Sequence, residues 1–392
     1  MNGPASRSLS RRRFLGLAGL GVTLPLLPGV LRAADAAAAK TLRLPAEVPP
    51  GVGNIITNAL GRAPSSVNTD WFGTCLMDGL LRWEARGVAG IRPFAEAWFD
   101  YHSHQQAVSK FQGPKARVFK AGGVPISTYC AHYGLAMPCY EMATRFNDAG
   151  ARQTCIDIGG IIAHEAYRNR LGLIEHDDTR AFAIPDACYF IVTPLMIAGE
   201  LDEAHRVEFR ALATDQLRKY IDVFLNRETG LAKTMLLADG LGKTYWTRAS
   251  GWLLWAMTSV LRFLPESDPA RAGFIADMKT LVDGVVRRQD ASGGLHVLLD
   301  DPSTPLETTG CAMFASGMHE AMRRGWLSKD YADPVTRAWN FVRARITPEG
   351  QIVQAYTGWA GPAEQRRMVI DHQLQEWVPG FILRVSEEMT HQ

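Results

Sequence analysis

The sequence predicts an all-α chain whose helices pair into six hairpins and close into an (α/α)6 barrel, a six-hairpin toroid. Apolar residues recur with helical periodicity along most of the 392 residues, and strict alternation is rare. Helices that head successive pairs are predicted to begin near Trp71, Tyr129, Asp186, Arg248, Thr308 and His372. The intervals between these starts are 57 to 64 residues, enough for two helices each. An open α-solenoid has the same period, so spacing alone leaves both architectures open.

The predicted helices are separated by turns rich in Gly and Pro, such as residues 265–269 and 348–350. In the first of them Trp71, Cys75 and Leu80 share one face. The full set covers residues 71–86, 125–146, 154–171, 186–198, 204–225, 248–263, 270–289, 308–324, 330–345 and 372–389.

The first 36 residues have the features of an export signal. Consecutive arginines at residues 11–13 precede an apolar run from Phe14 to Val30, and small residues at 34–36 suit a signal peptidase. This run has two prolines and four glycines and falls short of the ~20 apolar residues of a membrane span. We predict a twin-arginine (Tat) signal at 1–36, an N-terminal extension at 37–70 and one barrel domain at 71–392, with the protein periplasmic or secreted.

The mature chain that this cleavage would leave is almost neutral. The whole sequence has 42 Lys and Arg against 40 Asp and Glu, and the signal contains five arginines and one aspartate, which leaves 37 against 39. No dense run of basic residues follows, so nucleic acid is not an expected partner. No later segment is apolar enough to predict a membrane span in the mature form.

The cysteine pattern argues against a metal site. Cysteines occur at positions 75, 130, 139, 155, 188 and 311, and none forms a Cys-x-x-Cys pair. Several lie in apolar helical stretches, where a free thiol packs as a small hydrophobe, although one disulfide is compatible with export. Residues 100–104 contain two histidines without a third ligand at a known spacing, so we predict a solvated loop there, and no metal or cofactor.

Several sequence blocks resemble one family of enzymes. Residues 246–252 are similar to the Trp-x-Arg-Gly-Asn-Gly-Trp signature of unsaturated glucuronyl and rhamnogalacturonyl hydrolases, glycoside hydrolase families 88 and 105. Residues 306–315 resemble the later block in which Glu-Thr-Ser-x-Ser-Ala-Met-Phe is usual, and further matches continue to residues 380–383. The resemblance covers most of the chain from about residue 71. It implies an (α/α)6 barrel and a glycosidase acting in polysaccharide degradation.

The resemblance implies that Asp186, in the stretch 184–190, is the catalytic acid. From the residues alone, an aspartate near a helix start is predicted to be a cap, and only the match to the family favours catalysis. The implied substrate is a lyase-generated, rhamnogalacturonan-like oligosaccharide with a 4,5-unsaturated uronic acid at its non-reducing end. An acid protonates C4, water adds at C5, and the hemiketal opens and releases the aglycone, so one carboxyl suffices. Asp186 must then be protonated well above the usual Asp pKa of ~3.9, which burial favours.

The resemblance also implies the groups that hold the sugar. Trp246, Trp252 and Tyr189 are expected to stack on it, and the guanidinium of Arg248 is expected to fork onto the uronate carboxylate. The alternatives are core packing for the three aromatic side chains and a helix-end salt bridge for Arg248. Glu307 matches an acidic family residue, and we predict that it caps the helix that follows it.

Three positions depart from the family pattern. Thr128 stands in a stretch, residues 127–134, where the family has a second carboxylate, Thr234 replaces a family histidine, and Ala-Ser at 249–250 replaces Gly-Asn. His132, one turn after Thr128 on the same helix face, is a candidate replacement, and a structural histidine is the alternative.

These departures leave alternatives to the glycosidase open. One is a carbohydrate-binding relative whose catalysis is impaired. Another is a polysaccharide lyase on the same toroid that uses Tyr133 or His132 as its base. Both share with the first hypothesis an oligosaccharide partner.

Overall fold

The computed structural model describes residues 44, 48–108, 116–176, 183–237, 240–356 and 376–390, all within the unit from Leu42 to Gln392. The predicted signal at 1–36 lies outside the described residues. Thirteen α-helices follow one another in the described part of the chain. They are α1 (Pro50–Leu60), α2 (Trp71–Glu84), α3 (Ile91–Ser103), α4 (Cys130–Tyr133), α5 (Ala136–Arg145), α6 (Ala149–His164), α7 (Pro185–Leu201), α8 (Arg206–Phe224), α9 (Thr247–Phe263), α10 (Ala270–Val286), α11 (Thr308–Arg323), α12 (Ala332–Arg343) and α13 (Trp377–Thr390).

Six of the helices form a closed inner ring. In ring order they are α2, α5, α7, α9, α11 and α13, and α13 packs against α2. The outer layer consists of α1 on α13, α3 on α2, α6 on α5 and α7, α8 on α7, α10 on α9, and α12 on α11. The ring closes, so the predicted (α/α)6 barrel is confirmed and the open solenoid is excluded.

Short antiparallel strand pairs lead from outer helices into inner helices. They are β1 (Val118–Ala121) with β2 (Val124–Ser127), β3 (Leu225–Asn226) with β4 (Leu231–Ala232), β5 (Leu236–Leu237) with β6 (Gly240–Leu241), and β7 (Leu295–His296) with β8 (Leu306–Glu307). The register pairs Val118 with Ser127 and Leu295 with Glu307. All lie at the end where the inner helices begin, which we call the mouth.

Within the described residues, aromatic side chains fill the barrel axis. Almost every residue of α7 and α9 is buried, as expected of helices that are apolar on all sides. The Trp252 ring contacts Tyr189 at 5.3 Å and Phe381 at 5.3 Å between centroids, and Trp255 contacts Phe381 at 4.9 Å.

Two glycines allow the first and last inner helices to meet. A Cβ atom on Gly380 of α13 would lie 2.3 Å from the carbonyl oxygen of Cys75 in α2. A Cβ on Gly79 of α2 would lie 2.7 Å from the carbonyl oxygen of Gly380. Closure therefore depends on backbone approaching backbone, which only glycine permits at this distance.

Several element predictions were wrong. The predicted helix at 125–146 is instead a strand through Ser127, the short α4, and α5 from Ala136. Pro125 lies in β2 of a two-stranded pair, where its missing N–H is tolerated. α1 and α3 were not predicted at all, and α1 lies within the segment predicted as an extension and packs on α13.

The region predicted as a solvated loop at 100–104 is the end of α3. His102 is buried there, and its Nε2 lies 2.8 Å from the carbonyl oxygen of Val67. Within the described residues, no group of three or more His, Cys, Asp or Glu side chains is arranged to hold a metal ion. All six cysteines are buried free thiols.

Candidate active site

Asp186 stands in the first turn of α7, at the barrel mouth. Pro185 occupies the first helical position, where its fixed φ and missing N–H suit a helix start. Burial raises the pKa of Asp186, while His176, the N–H groups of Asp186 and Ala187, and Arg248 oppose that rise. The carboxyl is therefore easier to keep protonated than an exposed aspartate, and it still has groups that accept its ionised form.

Two polar atoms at the mouth are poised for a ligand. Asp186 Oδ1 and Trp246 Nε1 are both buried, and neither has a hydrogen-bond partner among the described residues. Buried polar atoms in proteins are normally bonded, so each such exception calls for an explanation. A bound substrate that accepts from the indole and meets the carboxyl would supply one.

Arg248 is the cation of the site. It is 3% exposed, with its guanidinium carbon 4.1 Å from the ring centroid of Trp246 and 4.7 Å from that of Trp377. Its Nη1 donates to the carbonyl oxygen of Tyr356. Burial lowers its pKa to about 10, against the opposing charges of Glu307 and Asp186, so the side chain stays cationic at neutral pH. A flat cation held between two indoles can meet a carboxylate.

Glu307 caps α11, which confirms that prediction. Its Oε2 accepts from the Thr309 N–H at 2.7 Å and from the Thr309 hydroxyl at 2.6 Å, and Oε1 accepts from the Gly310 N–H at 2.5 Å. Burial raises the pKa of Glu307, and Arg248 opposes the rise. Since both carboxyl oxygens are engaged, Glu307 serves as a cap and as a counter-charge for Arg248.

The predicted stacking residues occupy two different levels. Trp246 lies at the mouth beside Arg248. Trp252 and Tyr189 lie deeper, in the packed axis, and the Tyr189 hydroxyl accepts from Arg384 Nη1 at 2.9 Å. Burial raises the pKa of Tyr189 to about 12. The geometry of Trp252 and Tyr189 matches the core-packing alternative, because each is surrounded by other side chains.

Trp71 and Trp377 are aromatic residues at the mouth that the sequence reasoning did not assign to the site, and Trp377 is fully buried. They are the first residues of α2 and α13, and their ring centroids are 5.1 Å apart. Trp71 is partly exposed. Ring closure brings the two side chains together from opposite ends of the chain, and no local motif signals that pairing.

Two positions that depart from the family pattern, Thr234 and Thr128, lie in loops around the mouth. Thr234 is buried, its hydroxyl donates to the Thr244 carbonyl oxygen at 2.9 Å, and it accepts from the Trp246 N–H at 3.3 Å. Thr128 is also buried, directly after β2. His132 Nδ1 accepts from the Ser127 N–H at 3.0 Å, a contact that ties α4 to β2.

His176 is a mouth residue that sequence reasoning missed. Its electrostatic effect opposes the rise in the pKa of Asp186, and its ring lies 4.8 Å from that of Tyr129 between centroids. The Cys130 N–H donates to its carbonyl oxygen at 2.9 Å. The only sequence signal was its position ten residues before Asp186, in the same connection between helices.

The sequence of this chain is similar to a known protein family and to a known enzyme. The model of Glycosyl Hydrolase Family 88 matches residues 63–391. The unsaturated rhamnogalacturonyl hydrolase YesR of Bacillus subtilis (strain 168) is 26% identical over 242 residues, which is 59% of this chain and 68% of that protein.

Solved structures share the fold at low sequence identity. A glycoside hydrolase from family 105 of C. acetobutylicum ATCC 824 has a TM-score of 0.72 at 15% identity, covering 88% of this chain and 99% of that one. The unsaturated glucuronyl hydrolase of Bacillus sp. GL1, described as responsible for degrading glycosaminoglycan, has a TM-score of 0.66 at 16% identity, covering 88% and 95%. No helix within the described residues has the length and apolar character needed to cross a membrane.

Proposed function

Because the chain belongs to glycosyl hydrolase family 88, we propose that it removes a 4,5-unsaturated uronic acid from the non-reducing end of lyase-generated oligosaccharides. The observation that carries the proposal is the partly buried Asp186, whose buried Oδ1 has no hydrogen-bond partner in the described part of the chain and whose ionised form is favoured by the charge of Arg248. A carboxylic acid and a guanidinium at the same barrel mouth suit a substrate that has a reactive double bond for the acid to protonate and a carboxylate for the guanidinium to bind.

In the proposed reaction Asp186 acts twice. Its carboxyl proton is transferred to C4, a C–H bond forms, and positive charge develops at C5 and the ring oxygen. Water then forms a C–O bond at C5 and passes its proton to the Asp186 carboxylate, which restores the acid. The hemiketal opens and releases the aglycone, so the net change is the addition of one water.

The electrostatics of Asp186 suit both halves of this cycle. Burial raises its pKa, so the proton needed at C4 is retained at higher pH than in an exposed aspartate. Activity should fall as pH rises through that pKa, because only the protonated form donates. His176, Arg248 and the helix N-terminus favour the carboxylate that the second half requires.

Arg248 is proposed to bind the uronate carboxylate. Its guanidinium is fixed by Trp246, Trp377 and the Tyr356 carbonyl before any substrate arrives, so little side-chain entropy is lost on binding. A carboxylate held there would bring the adjacent C5 and the C4=C5 bond near Asp186. Trp246 Nε1 is available for a further bond to the sugar.

The finer substrate and the location of the protein are also proposals. A rhamnogalacturonan-like oligosaccharide is supported by the similarity to the Bacillus subtilis rhamnogalacturonyl hydrolase. Export by the twin-arginine route to the periplasm or beyond is supported by the arginines at 11–13 and the apolar run after them.

The test is to follow the ultraviolet absorbance of the conjugated double bond in a panel of lyase-digested polysaccharides. Unmutated protein should remove the absorbance, and Asp186→Asn should not. Asp100→Asn is the matched control, because Asp100 lies on α3 with 79% of its side chain exposed. Equal rates for the Asp186 and Asp100 variants would refute the assignment of the acid.

A carbohydrate-binding relative without turnover is the second candidate. Thr128 and Thr234 stand where the family has an acid and a histidine, and that observation favours it. Calorimetric binding of an unsaturated oligosaccharide, without any loss of absorbance, would support the binding protein over the hydrolase.

A further inference from the structure

We propose that Gln354 is a positioning residue for Arg248, because its left-handed backbone directs the segment that holds the guanidinium. That segment is residues 351–356, which we call the strap, and it runs from the end of α12 past the start of α11 to Arg248. This inference rests on the proposed function, in which Arg248 binds the uronate carboxylate. Gln354 does not touch the sugar in this proposal and acts only through the position of the cation.

Gln354 has a backbone conformation that residues other than glycine rarely adopt. Its φ of 55° lies in the left-handed region. Within the described residues, Asn147 is the other such residue that is not glycine, with a φ of 56°. Asparagine is one of the residues that tolerate this region, whereas glutamine is not. The conformation at Gln354 must therefore be held by its surroundings, and it calls for a functional explanation.

Two successive carbonyl groups at this bend hold the first residue of α11. The Thr308 hydroxyl donates to the Val353 carbonyl oxygen at 2.7 Å, and the Thr308 N–H donates to the Gln354 carbonyl oxygen at 2.8 Å. In an extended segment, successive peptide groups point to opposite sides. The left-handed residue rotates one peptide group relative to the other, so that both carbonyl oxygens face α11.

The Gln354 side chain is anchored at the end of α12. Its Oε1 accepts from Arg345 Nε. The guanidinium carbon of Arg345 lies 3.3 Å from the ring centroid of Phe341, and its Nη1 donates to the Phe341 carbonyl oxygen at 2.9 Å. The Val353 N–H donates to the Arg345 carbonyl oxygen at 3.0 Å. A glycine would adopt the left-handed conformation more easily, but it would lack the amide that makes this anchor.

Two residues after Gln354, the strap reaches the cation of the site. Tyr356 is fully buried, and its carbonyl oxygen accepts from Arg248 Nη1. Its ring centroid lies 5.8 Å from the guanidinium carbon. Because Thr308 holds the strap at residues 353 and 354, the backbone angles of Gln354 decide where the Tyr356 carbonyl points. An extended conformation at Gln354 would turn that carbonyl away from Arg248.

The bond from Tyr356 fixes what the stacked rings leave free. The guanidinium carbon of Arg248 is 4.1 Å from the centroid of Trp246 and 4.7 Å from that of Trp377. Stacking restricts the plane of the cation but not its rotation within that plane. A hydrogen bond from Nη1 restricts the rotation, so it determines which edge of the fork is presented to a carboxylate. Loss of this orientation should raise KM more than it lowers kcat, because Asp186 is unchanged.

The first experiment compares Gln354→Val with Gln354→Gly by steady-state kinetics on a lyase-generated unsaturated oligosaccharide. Both variants lose the bond to Arg345, but only the β-branched valine is strongly disfavoured in the left-handed region. KM should rise about 10-fold in Gln354→Val with kcat little changed, as expected for loss of a hydrogen bond to a charged group. Gln354→Gly should keep most of the affinity. Equal KM values for the two variants would overturn the proposal.

Gln351→Val is the matched control for this comparison. Gln351 belongs to the same strap, and its φ lies outside the left-handed region. The same substitution there should leave KM unchanged. A rise in KM equal to that of Gln354→Val would overturn the proposal, because the effect would then not depend on the left-handed backbone.

A second experiment does not need turnover. Circular dichroism melts identify the folded variants, and Gln354→Ala replaces Gln354→Val if the latter does not fold, since alanine also disfavours the left-handed region. In crystal structures, the hydrogen bond from Arg248 to the Tyr356 carbonyl should be kept in Gln354→Gly and broken in the valine or alanine variant. Its retention in all variants would overturn the proposal. Absence of turnover in unmutated protein would instead refute the proposed function, and the crystal structures would still decide the role of Gln354.

Discussion

Closure of the barrel between α2 and α13 predicts a large effect for Gly380→Ala. The added Cβ would lie 2.3 Å from the Cys75 carbonyl oxygen and 2.4 Å from its carbonyl carbon, whereas real Cβ contacts shorter than 3.0 Å are essentially never seen. Both atoms belong to backbone, so no side chain can rotate away. The two helices must move apart by about 0.7 Å, at the only place where the inner ring joins its ends.

The magnitude follows from two opposing effects. Overpacking a well-packed core costs about 1–3 kcal/mol, and a backbone clash belongs at the upper end. Replacement of Gly by Ala inside a helix returns about 1 kcal/mol in helix propensity. The net expectation for Gly380→Ala is a loss of about 2 kcal/mol, or a fall in Tm of about 3 °C for a domain of this size.

Two glycines in outer helices are matched controls for helix propensity. Gly160 in α6 and Gly273 in α10 have nothing within 4 Å of the added Cβ, so Ala there should stabilise by about 0.5–1 kcal/mol. Circular dichroism melts and urea titrations of the three variants measure the difference. If Gly380→Ala melts at or above the Gly160→Ala control, the argument that glycine closes the ring is wrong. Since Trp377 lies one turn before Gly380 and packs on Arg248, Gly380→Ala should also raise KM.

Two further predictions concern the mouth. Arg248→Lys keeps the positive charge but loses the forked hydrogen-bonding geometry and the flat stacking surface of the guanidinium, so the KM should rise about 10- to 100-fold. Steady-state kinetics measure this change, with Arg343→Lys at an exposed position as the control. Equal KM values for the two variants would contradict the prediction. Asp186→Asn should be more stable than unmutated protein at about pH 7 and equal to it below about pH 4. Burial raises the pKa of Asp186 in the folded state, so the unmutated protein loses stability as the pH rises from the unfolded-state pKa through the folded-state pKa, whereas the asparagine variant does not. The same difference in melting temperature between the two proteins at both pH values would refute this prediction.

The inner helices α2, α7, α9 and α11 were predictable because their start signals are local, whereas α5 begins at Ala136 and not near Tyr129. Glu307 directly precedes the apolar run of α11, and Pro185 opens α7, so the predicted and observed starts differ by at most one residue. α3 was missed because its exposed face carries charges and Pro93 stands in its first turn, where proline is tolerated but reads as a break. α1 was missed for a similar reason, with Pro50 and two glycines in its first turn.

The site was predictable only where it depends on helix starts. Asp186, Arg248 and Glu307 each lie within the first two residues of an inner helix or cap one, and sequence blocks marked all three. Trp377 and Tyr356 contact Arg248 because the ring of inner helices closes, and local sequence patterns do not predict that contact. The sugar-stacking expectation for Tyr189 and Trp252 came from the family resemblance of the surrounding sequence blocks, which does not distinguish mouth from axis.

Whether a residue lies in the packed axis or at the mouth indicates which property a departure from the family pattern affects. The desolvation that raises the pKa of Asp186 comes from burial at the top of the packed axis, and the charge proposed to hold a uronate comes from Arg248 with its cap-bound counter-charge Glu307. Thr128 and Thr234 belong neither to the packed axis nor to the pair formed by Arg248 and Glu307. Both are buried in loops leading to inner helices, and Thr234 is hydrogen-bonded to Thr244. Changes at those loops alter the polar groups offered to the sugar and leave the acid and its cation in place. Under the proposed function, we expect the departures to change which oligosaccharide is accepted before they remove the proton transfer itself.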